Sequence, residues 1–385
     1  MDSAWDPDSV RTIDSVETTD IVGPDGPGLP GIHEPLLRAI TLAAATSDRQ
    51  GVPRQTLQAL ADGGLLGLPL QPAALQRELA ERLFMADGSL AFCWLQHQLP
   101  LRRLLAATIT AAAPAAAELR QRWLEPVACG RALAAVAFAH LRRAGSPNPS
   151  ASAIAGGWRL DGQFDWITAW DIADLVLLCV RCRDAEGDRV VGLLLPAGAS
   201  GQPLAAGMTL GEPLQLLAMG GTHTRPLRLE GVELPGSQVL FVDDFTQWRA
   251  ADACKVCRVS PMVFGCIRGA IADLHRLGSS RGDATITTLA HALARECREL
   301  RRRAYALMDS SDADSPELRP QHRQLRAQAL QLAMRSAQAT LIAQAGAAMH
   351  SGSAAERRLR EASFLLVQAQ TSESQRASLD RLARP

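Results

Sequence analysis

The stretch DGQFDWITAWDIADL, residues 161–175, decides how the rest of the chain is read. Asp161-Gly162 is a dipeptide suited to a type I′ turn, so the segment reads as a hairpin turn feeding a strand that carries Trp166 and Thr168. A second indole, Trp170, follows before an apolar run begins. An indole, a hydroxyl and a second indole at a strand end raise the question of why they are not simply inside a core. Taken alone, they are better read as a buried tryptophan and a strand threonine with no ligand.

Strand patterns continue on both sides of this stretch. ALAAVAFAHL (132–141) reads as a buried strand, and ADLVLLCVRCRDAEGDRVVGLLLP (173–196) as a second hairpin. TRPLRLEGVELPG (224–236) reads as further strand with an intervening turn. Short strands at hairpin spacing predict an antiparallel sheet or barrel over 132–245.

Helical periods flank this region. PRQTLQALADGGLLGLPL (53–70) reads as a helix closed by Gly63-Gly64. The run from Ala73 to Ala107 is helical with a break or kink near Gly88 and Pro100, and ATITAAAPAAAELRQRWLEPVACG (107–130) continues it. Beyond 246, three long amphipathic helices precede a final one starting near Ala354. The division is therefore a flexible acidic tail over 1–33, a helical domain over 34–131, a β domain over 132–245 and a helical domain over 246–385.

Bulk properties narrow the partners. The chain has 385 residues, with 40 basic and 40 acidic side chains, so no charge excess invites nucleic acid or an anionic membrane. Lys255 is the single lysine. No apolar run approaches the ~18 residues needed to span a bilayer, and the N-terminus is acidic where a signal peptide is basic and then apolar. The expected location is the cytoplasm. Two C-x-x-C pairs, Cys179/Cys182 and Cys254/Cys257, raise the question of zinc. The first lies in a strand pattern, where residues three apart point to opposite faces, so buried free thiols are the better reading and no metal is expected.

Five stretches together resemble the acyl-CoA dehydrogenase superfamily over about residues 34–385. They are LAERLFMADGSLAFCWLQH (79–97), GGWRLDGQFDWITAWDIADLVLL (156–178), LLAMGGTHTRPLRLEGVELP (216–235), GCIRGAIADL (265–274) and RLREASFLLVQAQTSESQR (358–376). The resemblance implies an α+β fold: an N-terminal α-helical domain, a middle antiparallel β-barrel or sheet domain, and a C-terminal four-helix bundle. It implies FAD or FMN, with Trp166 packing on the isoalloxazine and Thr168 bonding near its reactive nitrogen. Ser146 and His140 would lie on the flavin-facing loop, and Arg276 near the pyrophosphate. It also implies a homotetramer or dimer built on the C-terminal helices, and an acyl-CoA or acyl-carrier substrate.

The same comparison shows departures. The glutamate that serves as base in most relatives aligns with Ala369, and the following glycine with Gln370. In other relatives that glutamate stands early in the helix after the sheet, where Lys255 falls near the expected place. Glu361 and Glu373 are read as sharing the terminal helix, neither at the matching turn. Ser279, Ser280, Ile286 and Thr287 replace the Phe-Gly and Phe-Gln that meet the cofactor, and QAGAAMH (344–350) replaces a Gly-Gly element. Three functions stay open. One is a flavin-dependent oxidoreductase acting on an acyl thioester or related substrate with an altered base. The second is a flavin-dependent monooxygenase with His97 or His140 in its pocket, fed reduced flavin by a separate reductase. The third is a non-catalytic member that binds a ligand or partner.

Overall fold

The structure is a computed structural model that describes residues 33–67 and 72–383. All but the last residue of the acidic segment 1–33 lies outside the described residues.

Five helices come first: α1 (Glu34–Gln50), α2 (Arg54–Asp62), α3 (Ala73–Ala86), α4 (Gly88–Ala106) and α5 (Ala116–Ala128). The break between α3 and α4 falls at Asp87, whose extended backbone (φ −152°) ends one helix and caps the next. Its carboxylate accepts from the Leu90 N–H at 3.0 Å, satisfying a donor that a helix start leaves open. Gly88 is required here: a Cβ would sit 2.8 Å from Glu361 Oε1. At Pro100 the helix runs through, because buried Leu101 and Leu104 hold the turn that the missing N–H weakens. Residues 107–115 precede α5 as loop and turn, where the alanine-rich sequence suggests continuous helix.

Eight strands follow: β1 (Ala134–Ala137), β2 (Ser150–Ile154), β3 (Gly157–Ile167), β4 (Leu175–Asp184), β5 (Gly187–Pro196), β6 (Met208–Leu210), β7 (Arg225–Pro235) and β8 (Val239–Asp244). They form one sheet in the order β6-β7-β3-β2-β4-β5-β8, with β1 also on β4. Most pairs are antiparallel, but β1 and β2 both run parallel to β4. β4 is buried along its first eight residues, hence its unbroken apolar run.

Two hairpin expectations are corrected. Asp161-Gly162 makes no turn: β3 is continuous through it, and the reversal from β2 comes at Ala155-Gly156. The dipeptide instead forms a bulge against β7, where the register shifts between Leu160 and Gly162. Gly162 takes φ +116°, and the Asp161 carboxylate accepts from Gly231 N at 2.7 Å. β7 is likewise one strand, with the bulge where a turn was expected. Asp-Gly suits either feature, because both need a positive φ; pairing with a full-length β7 selects the bulge.

The chain closes with α6 (Phe245–Val256), α7 (Pro261–Arg281), α8 (Ala284–Met308), α9 (Arg319–Gln344), α10 (Ala354–Val367) and α11 (Ser372–Leu382). α7 is central, packing on α3, α8, α9 and α10. A buried ionic knot ties it to α3: Arg268 reaches Glu78 (3.1 Å) and Glu81 (2.7 Å), and Arg301 and Tyr305 of α8 bond Glu81 too. The terminal helix is two helices, not one. Ala369 breaks it with φ +51°, leaving Glu361 on α10 and Glu373 on α11. No described helix is long and apolar enough to cross a membrane.

Candidate functional site

β3 ends in a change of exposure. Phe164 and Ile167 are buried, while Trp166 stands 50% exposed on the sheet's surface. A half-exposed indole beside core residues is an open aromatic wall, and the reading of Trp166 as a core residue is excluded. Thr168, just past the strand, is buried, and its hydroxyl lies 3.2 Å from that of Thr224. Thr224 in turn meets the Thr222 hydroxyl at 2.8 Å, which donates to Met219 O at 2.7 Å.

The backbone here is held in sparsely populated conformations. Ala169, Met219 and His223 all take positive φ, at 66°, 62° and 50°. Ala169 N donates to Thr222 O (2.8 Å) and Trp170 N to His223 O (3.2 Å), so two left-handed turns are locked together. Non-glycine residues persist there only when their surroundings over-determine them, and such strain clusters at functional sites. Gly221 permits the approach of α1: a Cβ would lie 2.0 Å from Ser47 O. Trp170 itself is buried and forms no part of the open wall.

A short 3₁₀ turn, Ala139–Arg142, braces the other side. His140 packs edge-on against Phe164, with ring centroids 4.9 Å apart. The ring hydrogen-bonds to the Cys179 backbone, and Nε2 is buried without a partner among the described residues. Burial and the nearby Arg143 push its pKa down to about 3, so the ring is neutral and Nε2 is left as a spare acceptor. Arg143 pairs with Asp165, next to Trp166, at 2.5 Å; Arg142 forks onto Asp252 of α6 at 2.8 and 2.9 Å. Arg326 of α9 completes the frame. It is buried, it donates to Val256 O and Gln368 O (2.7 Å each), and burial and Arg142 lower its pKa to about 10. The turn that carries Ala369 is thereby tied to α6, the helix held by Arg142.

Other sequence candidates fall elsewhere. His97 is buried with both ring nitrogens occupied: Nε2 lies 3.0 Å from Val127 O, and Nδ1 accepts from Ala134 N at 3.0 Å. Burial lowers its pKa to about 4. It is a neutral brace between α4, α5 and β1, with no ring nitrogen left for a pocket. Ser146 is exposed on the loop after the 3₁₀ turn. Arg276 is a surface residue paired with Asp273 at 3.0 Å. Lys255 and Glu373 are exposed, and Glu361 is spent on Arg357 (2.9 Å), Arg358 (3.1 Å) and Gly88 N (3.2 Å).

Sequence reasoning missed Thr222, Thr224, Arg326 and the role of Gln370. The Gly220-Gly221 pair marked the first two as lying near a close approach. Gln370, in place of the expected glycine, bonds Leu366 O through its Nε2, and its Oε1 is buried without a partner among the described residues. Nothing in the pattern around Arg326 distinguishes it from the other arginines of α9.

No family model and no curated protein matches the chain. Solved structures do. Glutaryl-CoA dehydrogenase from Mycobacterium smegmatis in complex with FADH2 superposes with a TM-score of 0.70 at 16% identity, covering 93% of this chain and 96% of that one. Nitrososynthase from Micromonospora carbonacea var. africana gives 0.70 at 20% identity, covering 94% and 98%. KijD3 in complex with FMN and a dTDP-linked amino sugar gives 0.68 at 19% identity, covering 93% and 95%. The chain has the acyl-CoA dehydrogenase-like fold, as the sequence resemblance implied.

Proposed function

We propose that this chain is a flavin-dependent oxidoreductase. The observation that carries the reading is Trp166, half exposed at the end of β3 beside buried Thr168, with His140, whose Nε2 has no partner among the described residues, packed on Phe164 of the same strand. These residues suit the ring of a flavin: an aromatic surface, a hydroxyl and a free acceptor. The dinucleotide side suits it less. Ser279 and Ser280 stand where relatives carry Phe-Gly, and Arg276 is committed to Asp273. FMN therefore competes with FAD as the preferred form.

A bound flavin supplies two-electron redox chemistry. Around it, Trp166 would hold the ring, Thr168 would be steadied by the Thr222–Thr224 hydroxyls, and neutral His140 would accept a hydrogen bond. Removing a proton beside a thioester needs a carboxylate, and the turn after α10 offers the Ala369 methyl instead. Glu361 is engaged with two arginines and Glu373 is exposed, so neither substitutes for it. That observation favours a second reading, monooxygenation with reduced flavin from a separate reductase, over dehydrogenation of an acyl thioester. Exposed Ile342, Met349, Val367, Leu379 and Leu382 on the C-terminal helices support assembly into a dimer or tetramer, which light scattering tests directly.

The absorption spectrum after reconstitution with FAD or FMN is the first test, and absence of bound flavin in both cases overturns the proposal. Dehydrogenation of acyl-CoA with an artificial acceptor is expected to be absent or slight. Ala369→Glu restores a carboxylate at the turn, and since a general base contributes about 10²–10⁴ in rate, gained activity would be plain. Robust dehydrogenation by the unmodified chain would overturn the monooxygenase preference.

A further inference from the structure

The Cys254-Lys255-Val256-Cys257 segment lies at the C-terminal end of α6, and Arg326 bonds both it, through Val256 O, and the Ala369 turn, through Gln368 O. Cys254 is partly exposed. Its Sγ donates to Asp314 O at 3.3 Å and receives an N–H of Arg319 at 3.3 Å. Cys257 is buried, and its thiol donates to Cys254 O at 3.2 Å, one helical turn back. Residues three apart on an α-helix have Cα atoms about 5 Å apart, within the range a disulfide spans. The surroundings are cationic. Arg258, Arg319 and Arg326 each keep a buried Nε–H without a partner among the described residues, and Arg323 adds to the field at Cys257. Asp314, paired with Arg258 at 2.8 Å, is the carboxylate in contact with the group.

The remaining cysteines differ. Burial raises Cys257, but it pushes Cys179, Cys266 and Cys297 up to about 12 and Cys182 to about 11, raises Cys93 as well, and none of these five shares the access of Cys254. Cys129 is exposed, but it has no second cysteine near it in sequence and no arginine bonded to its sulfur. Only Cys254 combines access, a guanidinium on its sulfur and a second thiol one turn away.

We propose that Cys254 and Cys257 form a thiol–disulfide exchange site for small-molecule disulfides, and that its oxidation is felt at the α10–α11 turn. Cys254, as thiolate, attacks one sulfur of RSSR, forming a mixed disulfide and expelling RS⁻. Cys257 then loses its proton to solvent and attacks the Cys254 sulfur, forming the intrachain disulfide and expelling the second RS⁻. The protein dithiol is oxidised by two electrons, and RSSR is reduced to two thiols. Closing the bond takes the Cys257 thiol from Cys254 O and Cys254 from Arg319. Val256, between them, is held by Arg326, which also holds Gln368 next to Ala369.

The test uses glutathione disulfide at neutral pH on the full chain carrying Cys129→Ser. The expected product has lost two hydrogen masses and yields a Cys254–Cys257 cross-linked peptide. Cys257→Ser should stop at one glutathione on Cys254, and Cys254→Ser should give neither product. Arg319→Gln should slow the first adduct by about three- to tenfold, since it removes the guanidinium that hydrogen-bonds the Cys254 sulfur. Hydrogen exchange over residues 368–371 should quicken in the oxidised protein. No reaction at Cys254, or equal labelling of the Cys254→Ser protein, would overturn the site. Unchanged exchange at 368–371 in the cross-linked protein would overturn its coupling to the turn.

Discussion

His97 and His140 occupy two regions that composition and burial alone would not tell apart. Both rings are buried, both are neutral, and both are polar groups inside a largely apolar interior. At the α4–β1 junction each His97 nitrogen meets a backbone group at 3.0 Å, so the ring joins the end of α5 to the start of β1. In the 3₁₀ turn behind β3, His140 spends one nitrogen on the Cys179 backbone and leaves the other without a partner. A buried polar atom without a partner is a cost that packing alone does not repay, and it marks a place shaped for something else. The residue closer to a structural brace and the residue closer to a site are separated by one hydrogen bond.

The largest expected effect breaks the brace. His97→Leu leaves Ala134 N without its His97 acceptor and Val127 O with only the Gly130 N–H at 3.3 Å, and a buried donor left without a partner costs about 1–3 kcal/mol. Chemical denaturation should therefore show a loss of about 1–3 kcal/mol, whereas His140→Leu should cost far less, because the unpaired Nε2 disappears with the ring. Equal losses in the two variants would end the distinction.

A somewhat smaller effect lies in pH. Both histidines have folded pKa values, about 4 and about 3, below the ~6.5 of an unfolded histidine. The unfolded chain thus binds more protons between those values, so their contribution is present above about pH 6.5 and is lost as pH falls toward 4. Asp87 opposes this: burial raises it to about 6, and the folded chain takes up its proton first on acidification. Stability is expected to fall between pH 7 and pH 5, with a shallower slope in His97→Leu. A slope unchanged by that substitution would show that His97 is not the group held neutral.

Trp166→Ala sharpens the other side of the comparison. Losing an aromatic partner beyond simple burial is worth about 1 kcal/mol, or roughly fivefold in flavin affinity by titration. Stability should barely move, since the indole is half exposed. The smallest effect belongs to Arg276→Ala, a surface pair expected to be worth less than about 1 kcal/mol and to leave flavin affinity unchanged. A tenfold loss of affinity would place Arg276 on the cofactor's phosphate after all.

Several features were legible because they depend on neighbours in sequence. The α–β–α order follows from hydrophobic period, and β4 from an apolar run of strand length. The break before Gly88 follows from an Asp that can cap, although the reason for glycine is Glu361, 273 residues away. Trp166 could be nominated from its place at a strand end. Its exposure could not, because that depends on which face of β3 the rest of the sheet covers.

What the tertiary structure decided is consistently a matter of pairing partner. Asp161-Gly162 is compatible with a turn or a bulge, and β7, running the full length of β3, makes it a bulge. Glu361 is compatible with a catalytic base or an ion-pair anchor, and Arg357 and Arg358 make it an anchor. Local sequence sets what a residue is able to do: which φ it tolerates, which charge it carries, which bonds it can give or take. Which of those capacities is used depends on groups brought near by folding, from Arg357 and Arg358, one helical turn from Glu361, to Gly88, 273 residues from it.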